Sequence, residues 1–164
     1  MGNPLFGPAG NSDSFYAGGL KHTYQAPAWL FSMGLGAYEY QAGNGLTASE
    51  ATLRRIGEEA KKYSIAMSLH APYFISLSGT NPEIRAKSIN YILQSLRAAG
   101  FLGADIIVIH TGSAAKISRA EAMALVRDTL ERTLAAAGNT QVKLGLETMG
   151  KVNQLGTLDE VIEL

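Results

Sequence analysis

The segments Ile65-Ala-Met-Ser-Leu-His70 and Asp105-Ile-Ile-Val-Ile-His110 decide the fold that the sequence predicts. Each is a short, mostly apolar run that ends in a histidine and then a loop, which is how a buried parallel strand ends. The run at residues 142–146 has the same character and is followed by Glu147. A helical pattern precedes each of the three runs. Helices that alternate with apolar strands indicate a parallel sheet covered by helices.

The helices between these strands are marked by start and stop signals. The capping box beginning at Thr47 predicts one helix, and Asn81 followed by proline predicts the next, which should stop at Gly100. A third helix should begin after Ser118 and end at Gly138. The residues expected to face inward on these helices are Leu53, Ile56, Ala60, Tyr63, Ile84, Ile89, Ile92, Leu93, Leu96, Ala122, Leu125, Val126, Thr129, Leu130 and Leu134.

Two more candidate strands lie nearer the amino terminus, at residues 5–7 and 36–40, with a short helix around residues 28–33 between them. Five strands at this spacing have the number of residues per unit that is typical of a TIM (β/α)8 barrel, whose eight β-α units need roughly 250 residues. A capping box at Thr157 opens a last helix that stops within about two turns. We therefore expect residues 1–164 to form a single, incomplete α/β barrel domain, truncated after about five β-α units. A complete five-stranded, doubly wound sheet fits the length equally well.

Composition excludes several classes of protein. Of the 164 residues, 46% are hydrophobic and 17% are charged, so the chain can bury one core of ordinary size. The formal net charge is zero, which gives no global field for nucleic acid or an anionic membrane. With no cysteine, disulfides and thiolate metal sites are excluded. The sequence shows neither a membrane span nor a secretory signal, and it predicts a cytoplasmic protein without a membrane partner.

Three side chains capable of binding metal follow the predicted strands directly. His70 shares a strand face with Ser68, and Glu147 shares one with Gly145, whereas their apolar neighbours take the opposite face. The interior of a barrel explains this alternation better than an open sheet does. Since the carboxyl ends of neighbouring parallel strands meet, His70, His110 and Glu147 should converge. Two histidines and one carboxylate are the ligands of a hydrolytic zinc site.

The same strand ends carry a family resemblance. The stretches Leu69-His-Ala-Pro-Tyr-Phe-Ile-Ser-Leu77, Val108-Ile-His-Thr-Gly-Ser113 and Gly145-Leu-Glu-Thr-Met-Gly150 resemble three successive strand motifs of the endonuclease IV family. Members of that family are apurinic/apyrimidinic endonucleases with a TIM barrel of the xylose isomerase-like type. The resemblance implies a site of up to three zinc ions that cleaves the phosphodiester 5′ to an abasic site during DNA repair.

Carried over to this sequence, the resemblance implies that His70 and His110 bind one zinc ion. Glu147 would bridge that ion to a second and serve as the catalytic residue. It also implies a partner, DNA containing abasic sites, and a monomer in the full-length form. The other ligands of the family lie on strands six to eight, which this sequence does not contain.

Five further residues are candidates for substrate binding. Tyr73 and Phe74 could stack on an exposed base or sugar of an opened duplex, although they could equally close the top of the core. Lys116 and Lys151, together with Arg119, could meet phosphates, although an ordinary solvated surface is the simpler interpretation. The role of Glu39, at the end of a predicted strand, stays open.

Two alternative functions compete with the endonuclease interpretation. The first is a metal-dependent sugar isomerase or epimerase of the same barrel group, which also places a metal-binding glutamate on a mid-barrel strand. The pair of histidines favours a zinc hydrolase, because sugar enzymes use carboxylates with Mn²⁺ or Mg²⁺. The second alternative is a non-catalytic fragment with an exposed apolar edge.

Overall fold

The computed structural model describes residues 3–164, and its helices alternate with parallel strands. Within these residues no helix has the length and apolar character needed to cross a membrane. The elements are α1 (Asp13–Ala17), a 3-10 helix (Thr23–Gln25), α2 (Ala26–Ser32), β1 (Ala37–Gln41), α3 (Glu50–Lys62), β2 (Ala66–His70), α4 (Pro82–Leu102), β3 (Ile106–His110), α5 (Arg119–Ala137), β4 (Lys143–Glu147) and α6 (Leu158–Glu163).

The four strands form one parallel sheet in chain order, β1-β2-β3-β4. The register pairs Gln41 with His70 and His110 with Glu147. A parallel sheet in which each strand pairs with the next, with helices as crossovers, is the arrangement of a TIM barrel. The carboxyl ends of β2, β3 and β4 therefore meet on one rim of the sheet.

The prediction of a fifth strand at residues 5–7 is wrong. This segment runs beside β1 and is joined to it by a single parallel bridge between Ala9 and Glu39. The Glu39 amide donates to the Pro8 carbonyl at 3.1 Å, but Pro8 has no N–H with which to continue the ladder. The segment thus occupies the place of a first strand without regular strand pairing.

Helix ends differ from the sequence prediction at two positions. Ser49, and not Thr47, caps α3, because its hydroxyl accepts a hydrogen bond from the Thr52 amide at 3.2 Å. Helix α4 continues through Gly100 and ends at Gly103, which adopts the left-handed conformation with φ of 68°. The predicted boundaries of α5, at Ser118 and Gly138, are confirmed.

The sheet has one apolar face covered by helices and one open face. On the covered side Met67, Leu69, Ile107 and Ile109 are buried. On the other side Ala66 is exposed, and Ser68 and Gly145 are half-buried. The predicted alternation of apolar and small or polar residues is confirmed, and the open face corresponds to the interior of a barrel.

Two of the predicted inward positions are wrong. Ile84 is 46% exposed and Leu134 is 54% exposed. Ile84 lies in the first turn of α4, beyond the sheet. On α5 the predicted inward residue Thr129 is buried, and so is Thr133, which was not predicted. The Thr129 hydroxyl donates to the carbonyls of Leu77 and Leu125 at 2.8 Å, and the Thr133 hydroxyl donates to the Thr129 carbonyl at 2.7 Å. Because these hydroxyls are satisfied internally, both threonines can be buried.

Glu160 joins α6 to α5 and to the preceding loop. Its carboxylate accepts hydrogen bonds from the amides of Gly156 and Thr157 and from the Arg119 guanidinium. Burial alone would raise the pKa of Glu160, but these donors outweigh burial and lower the pKa from 4.5 to about 2. The side chain is 15% exposed, so solvent screens these contacts only in part.

We expect the Glu160→Gln variant to lose about 1–2 kcal/mol of unfolding free energy near neutral pH. A lowered pKa stabilises the fold above the ordinary value of 4.5, and this stabilisation is lost as the pH falls towards about 2. Urea unfolding at several pH values should therefore show a difference between parent and variant that shrinks with acid. Glu163→Gln, which breaks an exposed ion pair with Arg127, is the control and should cost less than about 1 kcal/mol. Equal losses in both variants would contradict the prediction.

Candidate metal centre

His70, His110 and Glu147 lie together at the carboxyl rim of the sheet. The Glu147 Oε2 atom is 3.1 Å from His70 Nε2 and 3.2 Å from His110 Nε2. One ligand atom from each of the three residues lies within 4.8 Å of the other two. The structure thus brings together the three residues for which the sequence predicted convergence.

The backbone of the sheet positions these side chains. His110 and Glu147 are register partners on β3 and β4, and His70 ends the adjoining strand β2. Side chains in register on neighbouring parallel strands lie about 4.8 Å apart, which is close enough to share one ion. His70 is buried, whereas His110 and Glu147 are half-exposed. The cluster therefore has a buried side and a side open to solvent.

The orientation of His70 is set by its other ring nitrogen. His70 Nδ1 lies 2.9 Å from the Ala71 carbonyl oxygen, which can only accept, so Nδ1 carries the hydrogen. In the neutral ring, Nε2 then presents a lone pair to the Glu147 carboxylate at 3.1 Å. Two acceptors face each other at this distance only when a positive charge, either a proton or a metal ion, lies between them. Histidine ligands of metals are commonly oriented by such a carbonyl.

The donor set and its spacing fit zinc. With ligand distances of about 2.0–2.2 Å, the donors of a tetrahedral site lie roughly 3.4 Å apart. The two measured separations, 3.1 and 3.2 Å, are near this value. Three protein ligands leave a fourth position for water or substrate, as in catalytic zinc sites.

Electrostatics keeps His110 in the form that binds metal. Burial lowers the pKa of His110, the Glu147 carboxylate raises it, and His70 and Lys151 lower it again, with a lowered pKa as the net result. The neutral imidazole is therefore favoured at neutral pH. A neutral histidine is the state that can coordinate a metal ion.

Tyr73 lies over the two histidines. Its ring centroid is 5.0 Å from that of His70 and 5.3 Å from that of His110. Tyr73 as a whole is 53% exposed, so part of its surface stays open to solvent. Tyr73 can therefore contact both the imidazoles and a molecule bound at the rim.

A chain of hydrogen bonds holds Tyr73 in this position. Its hydroxyl donates to Gln41 Oε1 at 3.2 Å, and Gln41 Nε2 donates to Glu39 at 2.8 Å. Glu39 also accepts from the Ser68 hydroxyl at 3.2 Å. Glu39 therefore binds Gln41 and Ser68 and does not join the cluster of three. Sequence reasoning missed Gln41, although it ends β1 as His70 ends β2.

Gly43 leaves the space that the Tyr73 ring occupies, because a Cβ atom there would collide with the ring. We expect Gly43→Ala to displace Tyr73 from His110, and NMR should show a change in the ring-current shift of the His110 ring protons. The free energy of unfolding should change by less than about 1 kcal/mol, since the half-exposed ring can rotate away.

Gly100→Ala is the matched control, because a Cβ atom at Gly100 has no neighbour within 4 Å. Unchanged chemical shifts of the His110 ring protons in Gly43→Ala would show that the position of the Tyr73 ring does not depend on the space beside Gly43.

The other predicted binding residues lie around the rim in different settings. Phe74 is half-exposed and packs edge-on against Tyr91, with ring centroids 4.7 Å apart. Lys116 lines a separate cavity of about 260 Å³ among serine hydroxyls. Lys151 is near enough to His110 to lower its pKa. Arg119 donates to the Glu160 carboxylate and to the backbone carbonyls of Val152 and Gln154.

Residues 27–164 match the pattern of the family described as xylose isomerase-like TIM barrel. A probable endonuclease 4 of Acholeplasma laidlawii is 34% identical over 95 residues, which are 57% of this chain and 32% of the relative. A probable endonuclease 4 of Thermoplasma acidophilum is 28% identical, covering 90% of this chain and 52% of the relative. The chain thus spans about half or less of the length of these curated relatives.

Solved structures share the fold. Endonuclease IV from Thermus thermophilus superposes with a TM-score of 0.64 at 22% identity, covering 82% of this chain and 50% of that one. D-psicose 3-epimerase from Clostridium cellulolyticum superposes with a TM-score of 0.72 at 14% identity, covering 94% of this chain and 55% of that one. At these identities the superpositions establish the fold and leave the reaction open.

Proposed function

The chain belongs to the xylose isomerase-like TIM barrel family, and on this premise we propose that it works as a zinc-dependent endonuclease of the endonuclease IV type. The proposed reaction is hydrolysis of the phosphodiester 5′ to an abasic site in DNA. Relatives named probable endonuclease 4 support this choice. The motifs at the ends of β2, β3 and β4 are the part of the chain on which the proposal depends.

One observation carries the proposal: His70 Nε2, in a ring whose Nδ1 faces the Ala71 carbonyl, lies 3.1 Å from a Glu147 carboxylate oxygen, with a second histidine beside them. A zinc ion would satisfy all three groups at once. His70, His110 and Glu147 can hold one zinc ion. A second or third zinc ion, as in the endonuclease IV type of site, needs further ligand side chains.

The residues of this chain have distinct roles in the proposed reaction. Zinc supplies Lewis acidity, which makes water nucleophilic near neutral pH and neutralises charge on a phosphodiester. His70, fixed by the Ala71 carbonyl, and His110, kept neutral by burial, would hold the ion. Glu147 supplies the negative charge of the ligand set and, with 40% of its side chain exposed, can extend to a second ion.

Substrate contacts would come from the exposed part of the rim. Tyr73 presents an open ring face beside the histidines, which suits stacking on a base or sugar next to a missing base. Lys151 brings positive charge close to His110, where a phosphate would lie. Phe74 and Lys116 lie farther around the rim and would contact flanking nucleotides.

The proposal is tested by incubating the zinc-loaded chain with a labelled duplex that contains one abasic site. We expect a single cut 5′ to that site, no cut in the matched undamaged duplex, and loss of cleavage in Glu147→Gln. The variant lowers the charge of the ligand set at almost unchanged volume, so it separates the site from the fold. A contaminating nuclease would cut equally with both proteins. Zinc binding without cleavage would identify a metal-holding fragment that is not catalytic alone.

A metal-dependent sugar epimerase or isomerase is the second candidate. A carboxylate at the carboxyl end of a barrel strand, which is where Glu147 lies, also suits metal-assisted proton transfer on a ketose. The fold similarity to D-psicose 3-epimerase agrees with this reaction without favouring it over hydrolysis. Conversion of a ketose with Mn²⁺ or Mg²⁺, together with an intact abasic duplex, would select the epimerase.

A further inference from the structure

A cavity of about 450 Å³ lies between the 3-10 helix and the first half of α3, and none of its lining residues belongs to the metal cluster. Its size is in the range of small-molecule sites. It is lined by Lys21, His22, Thr23, Tyr24, Tyr40, Ala48, Ala51, Thr52, Arg55 and Ile56. The lining thus contains two cations, one histidine and two threonine hydroxyls, but no carboxylate.

The central cation of this cavity is held in place by an aromatic ring. The Arg55 guanidinium carbon lies 3.4 Å from the centroid of the Tyr24 ring. The His22 ring stacks on the same tyrosine, at 5.2 Å and an interplanar angle of 10°. A guanidinium whose flat face rests on a ring directs its N–H groups sideways, where they can form a fork to an anion.

Within residues 3–164, neither Arg55 nor Lys21 has a carboxylate within ion-pair distance. The neighbouring Arg54 differs, because Glu50 binds it at 2.8 Å. Glu59 lies one helical turn beyond Arg55 on α3, and both residues line an adjoining groove. The Glu59 carboxylate pairs with Lys62 instead of Arg55. The positive charge of the cavity is therefore not neutralised by the protein itself.

The backbone adds to this charge. Ala51 and Thr52, which line the cavity, belong to the first turn of the thirteen-residue helix α3. The amino-terminal turn of a helix carries partial positive charge, and here the Thr52 amide donates to the Ser49 hydroxyl that caps the helix. A forked guanidinium, an ammonium, two hydroxyls and this helix turn together match the oxygens of a phosphate group better than a lone carboxylate.

We propose that this cavity binds a phosphate group, with Arg55 as its principal ligand and Lys21 as the second cation. The phosphate belongs either to the backbone of a nucleic acid or to a small phosphoester, and both sources offer the same tetrahedral anion. The site is separate from the metal cluster, so the proposal does not depend on the proposed nuclease activity.

The test is titration of the full chain with inorganic phosphate, followed by amide chemical shifts and by calorimetry. We expect saturable shifts at residues 21–24 and 51–56. Arg55→Gln should lower the affinity by at least about tenfold, because a charge-assisted contact is lost. Arg54→Gln is the matched control, since Arg54 is adjacent in sequence but binds Glu50 and lies over Phe101. Equal effects of the two variants, or no saturable shifts in the parent chain, would overturn the proposal.

A second titration separates the two sources, using an undamaged DNA duplex and, in parallel, ribose 5-phosphate. If the nucleic acid backbone is the ligand, Arg55→Gln weakens duplex binding and reduces its salt dependence by about one phosphate contact. If a small phosphoester is the ligand, duplex binding is unchanged and ribose 5-phosphate binding is lost. Zinc content should stay unchanged in Arg55→Gln. A failure of the phosphate-binding proposal can therefore be distinguished from a failure of the proposed metal centre.

Discussion

We expect the purified parent chain to hold about one zinc ion at the proposed site, and the His110→Ala variant to lose it. Removing the imidazole leaves two ligands, and two ligands do not hold zinc against competition from water. Loss of a partner outside the ligand set already costs about 10–100-fold in metal affinity. Loss of a ligand should therefore cost more than about 100-fold. Elemental analysis after exhaustive dialysis, together with competition against a zinc-binding dye, measures the change.

His22→Ala is the matched control for this measurement, because it removes the same side chain from an exposed position outside the cluster. It should keep the zinc of the parent chain. Circular dichroism of the His110→Ala variant should match that of the parent, because His110 is only half-buried. Zinc retained in His110→Ala, or lost in both variants, would show that the ion binds elsewhere.

The second large effect is expected in Leu69→Ala. Leu69 is fully buried in β2, between the sheet and the helices that cover it, and it directly precedes His70. Truncating such a side chain removes apolar burial and leaves a cavity, at a cost of about 2–5 kcal/mol. Since small domains are stable by only about 5–15 kcal/mol, this loss should appear as a much lower midpoint of urea unfolding.

Leu134→Ala makes the same chemical change on the exposed face of α5. Its unfolding free energy should change by less than about 1 kcal/mol, because an exposed side chain leaves no cavity. The comparison also tests which face of α5 is buried, since periodicity alone had placed Leu134 inside. A cost in Leu134→Ala as large as that in Leu69→Ala would contradict the position of this helix.

The convergence of His70, His110 and Glu147 could be predicted because it depends on local features that the sequence carries. Each residue follows an apolar run directly, and the carboxyl ends of parallel strands meet whatever the details of packing. The alternation along β2 and β4 also identified the open face of the sheet. These inferences depend on where each strand ends and on the alternation of side chains between the two faces of the sheet. They do not depend on side-chain rotamers.

The remaining features depend on contacts between distant parts of the chain. The path from Tyr73 through Gln41 to Glu39 requires particular rotamers on two strands, which no local pattern specifies. The ion pair of Arg119 was not predicted, because its partner, Glu160, lies 41 residues farther along the chain. At residues 5–7 the apolar character suggested a strand, but Pro8 interrupts the hydrogen-bond ladder.

The strand order of the sheet, identical to the order along the chain, bears on the order in which the proposed metal ligands come together. Each strand pairs with the one made just before it, and a crossover helix separates the two. During synthesis the amino-terminal units can therefore assemble first. In that order of assembly His70 and His110 would be in place before β4 docks, and Glu147 would arrive with that strand as the third of the proposed ligands. Tight uptake of the proposed zinc ion would then require β4 in the sheet, and bound metal would oppose release of this strand.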